Sequence, residues 1–408
     1  MTELIREKGA AARYMIDEIT HICRDMRKRS PGSMGERAAG EYMAERLRQD
    51  CGCQRVQLET FSEHPGAFYG YLYYAVALDF LCVASFFLSP WLSAVFALSS
   101  ILLTFFEFFL YREPIDPLFP KREGVNVTAV KACTGEVKRR VFLNGHLDAA
   151  WEWPVNYRWG GIAFEAHAVI ASVGVVYYLC IAICAGLGAG GWTKTAVWIG
   201  FLFMPFWIGM LFMRDRKRIV DGANDNLTGC YMGIAVLKTM QENGIELEHT
   251  EVGVLLTGSE EAGLRGAKAW CEAHRSDNSE VPTYIYTFDT IHDPQYLMTN
   301  YRDLNGIVKA DRPMAELFIE SAAELGIACR KGWVPPFGGA TDSAAFRQGG
   351  YRSVGITGLN HNLEDYYHTR RDTYDNLNPE GLADCYAVTI NLIEKIDQGI
   401  LESQLKGG

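Results

Sequence analysis

The chain has 408 residues, 49% of them hydrophobic and 22% charged, which excludes a disordered polymer, a collagen-like repeat and a small disulfide scaffold. With 39 Lys and Arg against 49 Asp and Glu, its formal net charge of −10 repels a phosphate backbone and argues against nucleic acid as a partner. The 11 cysteines are odd in number and include no Cys-x-x-Cys pair, which fits a reducing compartment better than a disulfide framework.

Taken in chain order, Thr2 to Arg29 is rich in charge, with Ile5, Ala12, Met15, Ile16, Ile19 and Ile22 at helical spacing. This predicts a retained amphipathic helix rather than a signal peptide. A second helix is expected over Glu36 to Gln49. Residues 68–111 are then almost wholly apolar: Tyr71 to Leu88 carries one charge, Asp79, and Trp91 to Leu110 carries one, Glu107. Each run is close to the roughly 20 residues that a bilayer requires. Strands Val125 to Lys131 and Arg140 to Asn144 follow. The next apolar stretch, 166–213, has no charge from Ala168 to Gly191 or from Thr195 to Met213, with Lys194 between them.

The two stretches predict two transmembrane helical hairpins, 68–111 and 166–213, inserted into one discontinuous domain made of 1–67, 112–165 and 214–408. Their apolar surface suits lipid, and a homodimer interface is its other use. Lys and Arg near the span ends gather on the soluble side (Arg55, Arg112, Lys121, Arg122, Arg158, Arg214, Arg216, Lys217 and Arg218), whereas the hairpin tips carry only Lys194. By the positive-inside rule the soluble domain faces the cytoplasm, making an integral protein of the plasma membrane. Asp79 lies deep enough to need a partner or water, whereas Glu107, one turn from its span's end, is expected to reach the interface.

Beyond the hairpins, helix Cys230 to Asn243, strand Glu251 to Thr257, helix Leu264 to His274, strand Thr283 to Phe288, helix Pro313 to Leu325, strand Ser353 to Ile356 and helix Pro379 to Ile400 alternate. That order predicts an α/β sandwich with a mixed, mostly parallel sheet.

Acidic and histidine residues recur where the strands end. His146 and Asp148 follow Val141 to Gly145, at the carboxyl end where open α/β sheets place their sites. The spacing lets Asp148 accept the second ring N–H of His146 and fix its tautomer. Asp221 to Gly229 is a polar turn opening a helix, with more acids and amides than one cap needs. The strand ending at Thr257 leads into Gly258-Ser259-Glu260-Glu261, where two adjacent carboxylates repel unless one binds a cation and the other acts as a base. Asp289 ends a further strand, and His368 lies in a loop before the last helix. Trp151, Trp153 and Trp159 suit a substrate cleft or an interfacial belt, Trp159 the belt.

As an ordered set, Gly145-His146-Leu147-Asp148, Gly222-Ala223-Asn224-Asp225-Asn226 with Thr228-Gly229, Gly258-Ser259-Glu260-Glu261 with Gly263 and Gly266, Phe288-Asp289, Ala340-Thr341-Asp342 with Phe346, and His368-Thr369 with Asp372-Thr373 resemble the M28 metallopeptidases, the co-catalytic zinc aminopeptidases and their glutamate carboxypeptidase relatives. The resemblance covers roughly residues 34–400 outside the apolar stretches. The family's path from the His-x-Asp loop to the bridging Asp is normally short, and here the second hairpin fills it. The resemblance implies a three-layer α/β/α zinc-exopeptidase sandwich of the phosphorylase/hydrolase type.

It also implies two Zn²⁺ per chain, with His146 and Asp289 on one ion, Glu261 and His368 on the other, and Asp225 bridging. Glu260 would be the general base toward a metal-bridging hydroxide, Asp148 the residue orienting His146, and Tyr367 a donor to the developing oxyanion. The expected activity is that of an aminopeptidase on peptide substrates. An M20-type deacylase or dipeptidase, a carboxypeptidase, and a non-catalytic membrane scaffold are the alternatives. The glutaminyl cyclases share the fold with one zinc.

Overall fold

A computed structural model describes residues 1–276, 280–360, 362 and 364–407. These described residues form ten strands: β1 Arg55–Glu63, β2 Arg122–Lys131, β3 Arg139–His146, β4 Thr250–Thr257, β5 Thr283–Ile291, β6 Met298–Asn300, β7 Arg302–Asp303, β8 Val308–Lys309, β9 Arg330–Gly332 and β10 Arg352–Gly358. Eight of them make one sheet in the order β1-β2-β4-β3-β5-β10-β6-β9. β4, β3, β5 and β10 run parallel at its centre, while β2 lies antiparallel to both β1 and β4. Every residue of β4 and β5 is buried, as their unbroken apolar runs require for strands covered on both faces.

The helices cover those faces. The N-terminal segment forms Thr2–Arg6 and Lys8–Asp25, burying Met15, Ile19 and Ile22 against Thr228–Glu242 and Pro379–Asp397. The amphipathic expectation therefore holds, with a break at Glu7. The mixed, mostly parallel α/β sandwich is present. The sequence reading missed β1, whose side chains are partly exposed along most of its length and whose pattern is accordingly weak, and the short strands near the β6–β9 edge.

The apolar stretches form helices Ala67–Phe86, Pro90–Thr104 and Gly161–Gly186, the second continued by a wide turn to Phe109. Among the described residues, three helices are long and apolar enough to cross a membrane. The segment expected as a fourth span is broken into Trp192–Gly200, Phe201–Phe203 and Met204–Met210. Pro205, which has no N–H to donate, stands at the start of its last piece. Both stretches pack into one unit around Val83, Phe86, Ala97, Tyr178, Ile181 and Trp207. Gly200 lets the backbone approach Tyr178, whose ring lies 2.6 Å from where a Cβ would stand, while the Tyr178 hydroxyl donates to the Val197 carbonyl at 2.9 Å. Glu107 does not reach outward as expected: it is 1% exposed, because the wide turn at Phe105–Phe109 rolls it inward.

Candidate metal centre

The carboxyl ends of the parallel strands converge on one place. β3 ends at His146, β4 runs into the Glu260-Glu261 turn, and β5 carries Asp289; Asp225 opens the helix Thr228–Glu242. His368 comes from the loop beyond β10. Two non-glycine residues of these turns, Ser259 (φ 56°) and His368 (φ 50°), hold left-handed backbone, a conformation that persists where surrounding contacts over-determine it.

The Asp225 carboxylate lies between two imidazoles. One of its oxygens is 3.1 Å from His146 Nε2 and the other 2.9 Å from His368 Nε2. Glu261 Oε1 is 3.1 Å from His368 Nε2, and Glu260 Oε2 is 3.9 Å from His146 Nε2. Ligand atoms of His146, Asp225 and Glu261 all fall within 4.8 Å of one another. Asp289 lines the same cavity as Asp225, Glu260, Glu261 and His368, and Thr290 donates to its Oδ1 at 3.0 Å. Tyr367 stacks on His368 with ring centroids 4.2 Å apart, and Trp153 meets the same imidazole edge-on at 4.1 Å.

A frame of buried acids holds these groups. Asp148, wholly buried, accepts the backbone N–H of Glu260 and of Glu261, each at 3.0 Å, and its Oδ1 is 3.3 Å from His146 Nδ1. Asp372 accepts the N–H of Asn224 at 2.7 Å and of Asp225 at 3.1 Å. Glu36 accepts Ser259 N–H at 2.6 Å, and Glu63 accepts the Ser259 hydroxyl at 2.6 Å. Arg29 ties two loops together by donating to the carbonyls of Leu147 and Gly222. Asp342 accepts from the Thr257 hydroxyl behind the cluster.

Glu36, Glu63 and Arg29 escaped the sequence reading. Ser33-x-x-Glu36 looks like an ordinary helix cap, and Ser33 does accept from Glu36 N–H, so nothing local marks the reach of the carboxylate to Ser259. The sequence leaves Trp153 open between cleft and interfacial belt, and its edge-on contact with His368 puts it in the cleft. Trp151 packs edge-on against Tyr69 under the Arg214 guanidinium, and Trp159 is 68% exposed on the outside.

The electrostatics reflect too many negative groups in too little water. Burial, with the neighbouring Asp225 carboxylate, pushes Asp289 up to about 8. Burial likewise raises Glu260 well above the carboxylate range, with Asp289 and Glu261 adding to it, and raises Glu261. Asp225 goes the other way: burial opposes its charge, but the two imidazoles outweigh that and hold it far below the usual range. Burial also opposes charge on His368, and the Glu261 and Asp225 carboxylates overcome it to push the ring up to about 10.

The donors therefore fit a divalent cation. Two neutral-capable imidazoles and four carboxylates share a buried pocket, and positive charge at the histidine Nε2 positions is what balances Asp225. Imidazole and carboxylate together suit zinc.

Residues 213–393 match the model of peptidase family M28, a region that holds Asp225, Glu260, Glu261, Asp289, Tyr367 and His368. No curated protein sequence matches the chain. Among solved structures the fold is similar to an aminopeptidase from Aneurinibacillus sp. strain AM-1, at 12% identity and a TM-score of 0.55 over 94% of this chain and 93% of that one. A zinc aminopeptidase from Bacillus subtilis gives 11% identity and a TM-score of 0.54 over 93% and 94%. An Acidobacteriales bacterium glutaminyl cyclase gives 13% and 0.55 over 96% and 95%. The family match lies on strand-end residues that converge here, so residues 213–393 match the metallopeptidases of family M28, on a fold shared with the solved aminopeptidases.

Proposed function

We propose that the protein is a membrane-embedded exopeptidase with two zinc ions, acting as an aminopeptidase. The observation that carries this reading is the Asp225 carboxylate set between His146 and His368, one oxygen toward each ring, beside the Glu260-Glu261 pair. His146 and Asp289 would hold one ion, Glu261 and His368 the other, and Asp225 both. Bound there, zinc supplies Lewis acidity and brings the pKa of water toward about 7.

The chain's own residues do the rest. Glu260, next to the cluster and raised by burial, accepts a proton from the attacking water and carries it to the departing amine. Asp148 is a positioning residue: by gripping the N–H groups of Glu260 and Glu261 and facing His146 Nδ1, it fixes base and ligands in one geometry. Tyr367, stacked on His368, directs its hydroxyl to the developing oxyanion.

The hairpins sit in the bilayer of the plasma membrane, and the catalytic domain lies on the cytoplasmic side. The outward apolar faces support lipid as the partner, with Leu88, Leu187 and Leu202 each more than 70% exposed. The cluster of Arg214, Arg216, Lys217 and Arg218 where the second hairpin rejoins the domain supports the orientation.

The test measures metal content and hydrolysis of free-amine and N-blocked dipeptides on detergent-purified protein, with and without a chelator. Two zinc ions and chelator-sensitive cleavage of free-amine substrates are expected. Cleavage of blocked substrates alone moves the reading to a carboxypeptidase or deacylase, and absence of stoichiometric metal leaves a scaffold.

A further inference from the structure

We infer that the site takes substrates with a long apolar chain on the acyl side of the scissile amide bond, the chain lying in a cavity between the two hairpins. This rests on the hydrolytic reading above and adds the substrate class. A cavity of about 380 Å³ starts among Asp225, Glu260, Glu261, Asp289 and His368 and continues into the hairpin unit. On the helix Ala67–Phe86 its wall runs from Phe68, Tyr69, Tyr71 and Leu72 through Ala75 and Val76 to Asp79, largely one helix face, and no later residue of that helix contributes. From Phe68 to Asp79 that wall is about 16 Å long at about 1.5 Å per residue. The helix Gly161–Gly186 lines the opposite side from Phe164 to Val176, a comparable length. No standard apolar side chain reaches that far.

Two features identify the occupant. Phe105 and Val176 line the cavity and are 43% and 50% exposed, so the cavity is open between the hairpins, whose outer surface is read above as facing lipid. A chain dissolved in the bilayer thus has a short route in. The far end lies at Asp79, the last residue of that helix to line the cavity. A space that ends this way suits the terminal group of a substrate. In an aminopeptidase that group is on the acyl side, whereas the amine side continues as the rest of the peptide and must reach water.

The reaction is simple hydrolysis. A water oxygen bonds to the carbonyl carbon, the C–N bond breaks, and the water's proton leaves with the amine, giving a chain-bearing carboxylate and a free amine. The chain has two sources: a long or lipid-bearing side chain on an N-terminal residue with a free amine, or a fatty acyl group without one.

Two substrate series on full-length, zinc-loaded protein in detergent separate them. One is X-Ala dipeptides with X as alanine, 2-aminohexanoic acid or 2-aminodecanoic acid; the other is N-acetyl-, N-hexanoyl- and N-decanoyl-alanine. Burying a methylene raises affinity by up to about fourfold, so kcat/KM should climb at least about 100-fold along one series, and that series names the source. Ala75→Phe and Ala171→Phe, which fill the cavity from different helices, should cut the gain below about tenfold while cleavage of the shortest substrate stays within about threefold.

No length dependence while Ala-Ala is cleaved, or a gain that survives both substitutions, overturns the proposal and leaves the hydrolytic reading intact. No cleavage of any substrate overturns that reading, and the proposal with it. Should neither variant fold, a ten-carbon substrate analogue ending in a diazirine decides on the wild-type protein: crosslinks at 72–79 or 164–176 are expected, and crosslinks confined to the outer surface overturn the proposal.

Discussion

Replacing Asp148 by Asn separates a positioning role from a packing one. The carboxylate is fully buried and accepts two backbone N–H bonds at 3.0 Å, from Glu260 and Glu261, while facing His146 Nδ1 at 3.3 Å. An asparagine of the same shape keeps one acceptor oxygen, and its NH₂ group then confronts the other N–H. One buried donor is left unsatisfied, at about 1–3 kcal/mol, and the surviving bond loses its charge assistance. The turn carrying the base and one ligand loosens, and the negative charge that raises the basicity of His146 is gone. Loss of such a supporting carboxylate typically lowers metal affinity about 10- to 100-fold, or about 1.4 to 2.8 kcal/mol. The assay is zinc competition against a chromophoric chelator on detergent-purified protein, with thermal unfolding as the check on folding. A folded Asp148→Asn protein that binds zinc within twofold of wild type would refute the argument.

Other outcomes are equally specific. Glu260→Gln should lower kcat by about 10² to 10⁴ while zinc stays bound, and loss of zinc instead would mean that the base and ligand roles of Glu260 and Glu261 are exchanged. In metal-stripped protein, burial pushes Asp289 up to about 8 and Asp372 and Glu63 up to about 7. Folded-state values above the unfolded ones mean that stability is full below about pH 4 and is lost as the pH climbs toward 8. The apo-protein should therefore unfold at lower temperature at pH 8.5 than at pH 5, and added zinc should remove most of that difference; equal midpoints in the apo-protein would count against the buried-carboxylate account. With Cys180 and Cys184 replaced by alanine, Ser89→Cys and Gly190→Cys should react with a membrane-impermeant maleimide on intact cells, and reaction only after lysis would reverse the orientation.

The sequence by itself determined the parts of this protein that contiguous residues encode. Unbroken apolar runs such as Val252 to Leu256 specify buried strands, and the polar residues at their ends, His146, Glu260, Glu261 and Asp289, are set at the sheet's carboxyl edge by the strand they terminate. Hydropathy alone likewise marks the apolar stretches. The tertiary structure decided what depends on residues far apart in the chain. That Asp225 stands between His146 and His368, that Glu36 and Glu63 reach under Ser259, and that Trp153 covers His368 are contacts across 79 to more than 200 positions, set by strand order rather than by any local pattern. The same holds for the hairpins: composition predicts four apolar runs, but only packing shows the last broken ahead of Pro205, Glu107 rolled inward, and a cavity joining the runs to the carboxylates. A side chain's neighbours across the fold are fixed by the lowest-energy packing of the whole chain, and that information is spread over every element that packs.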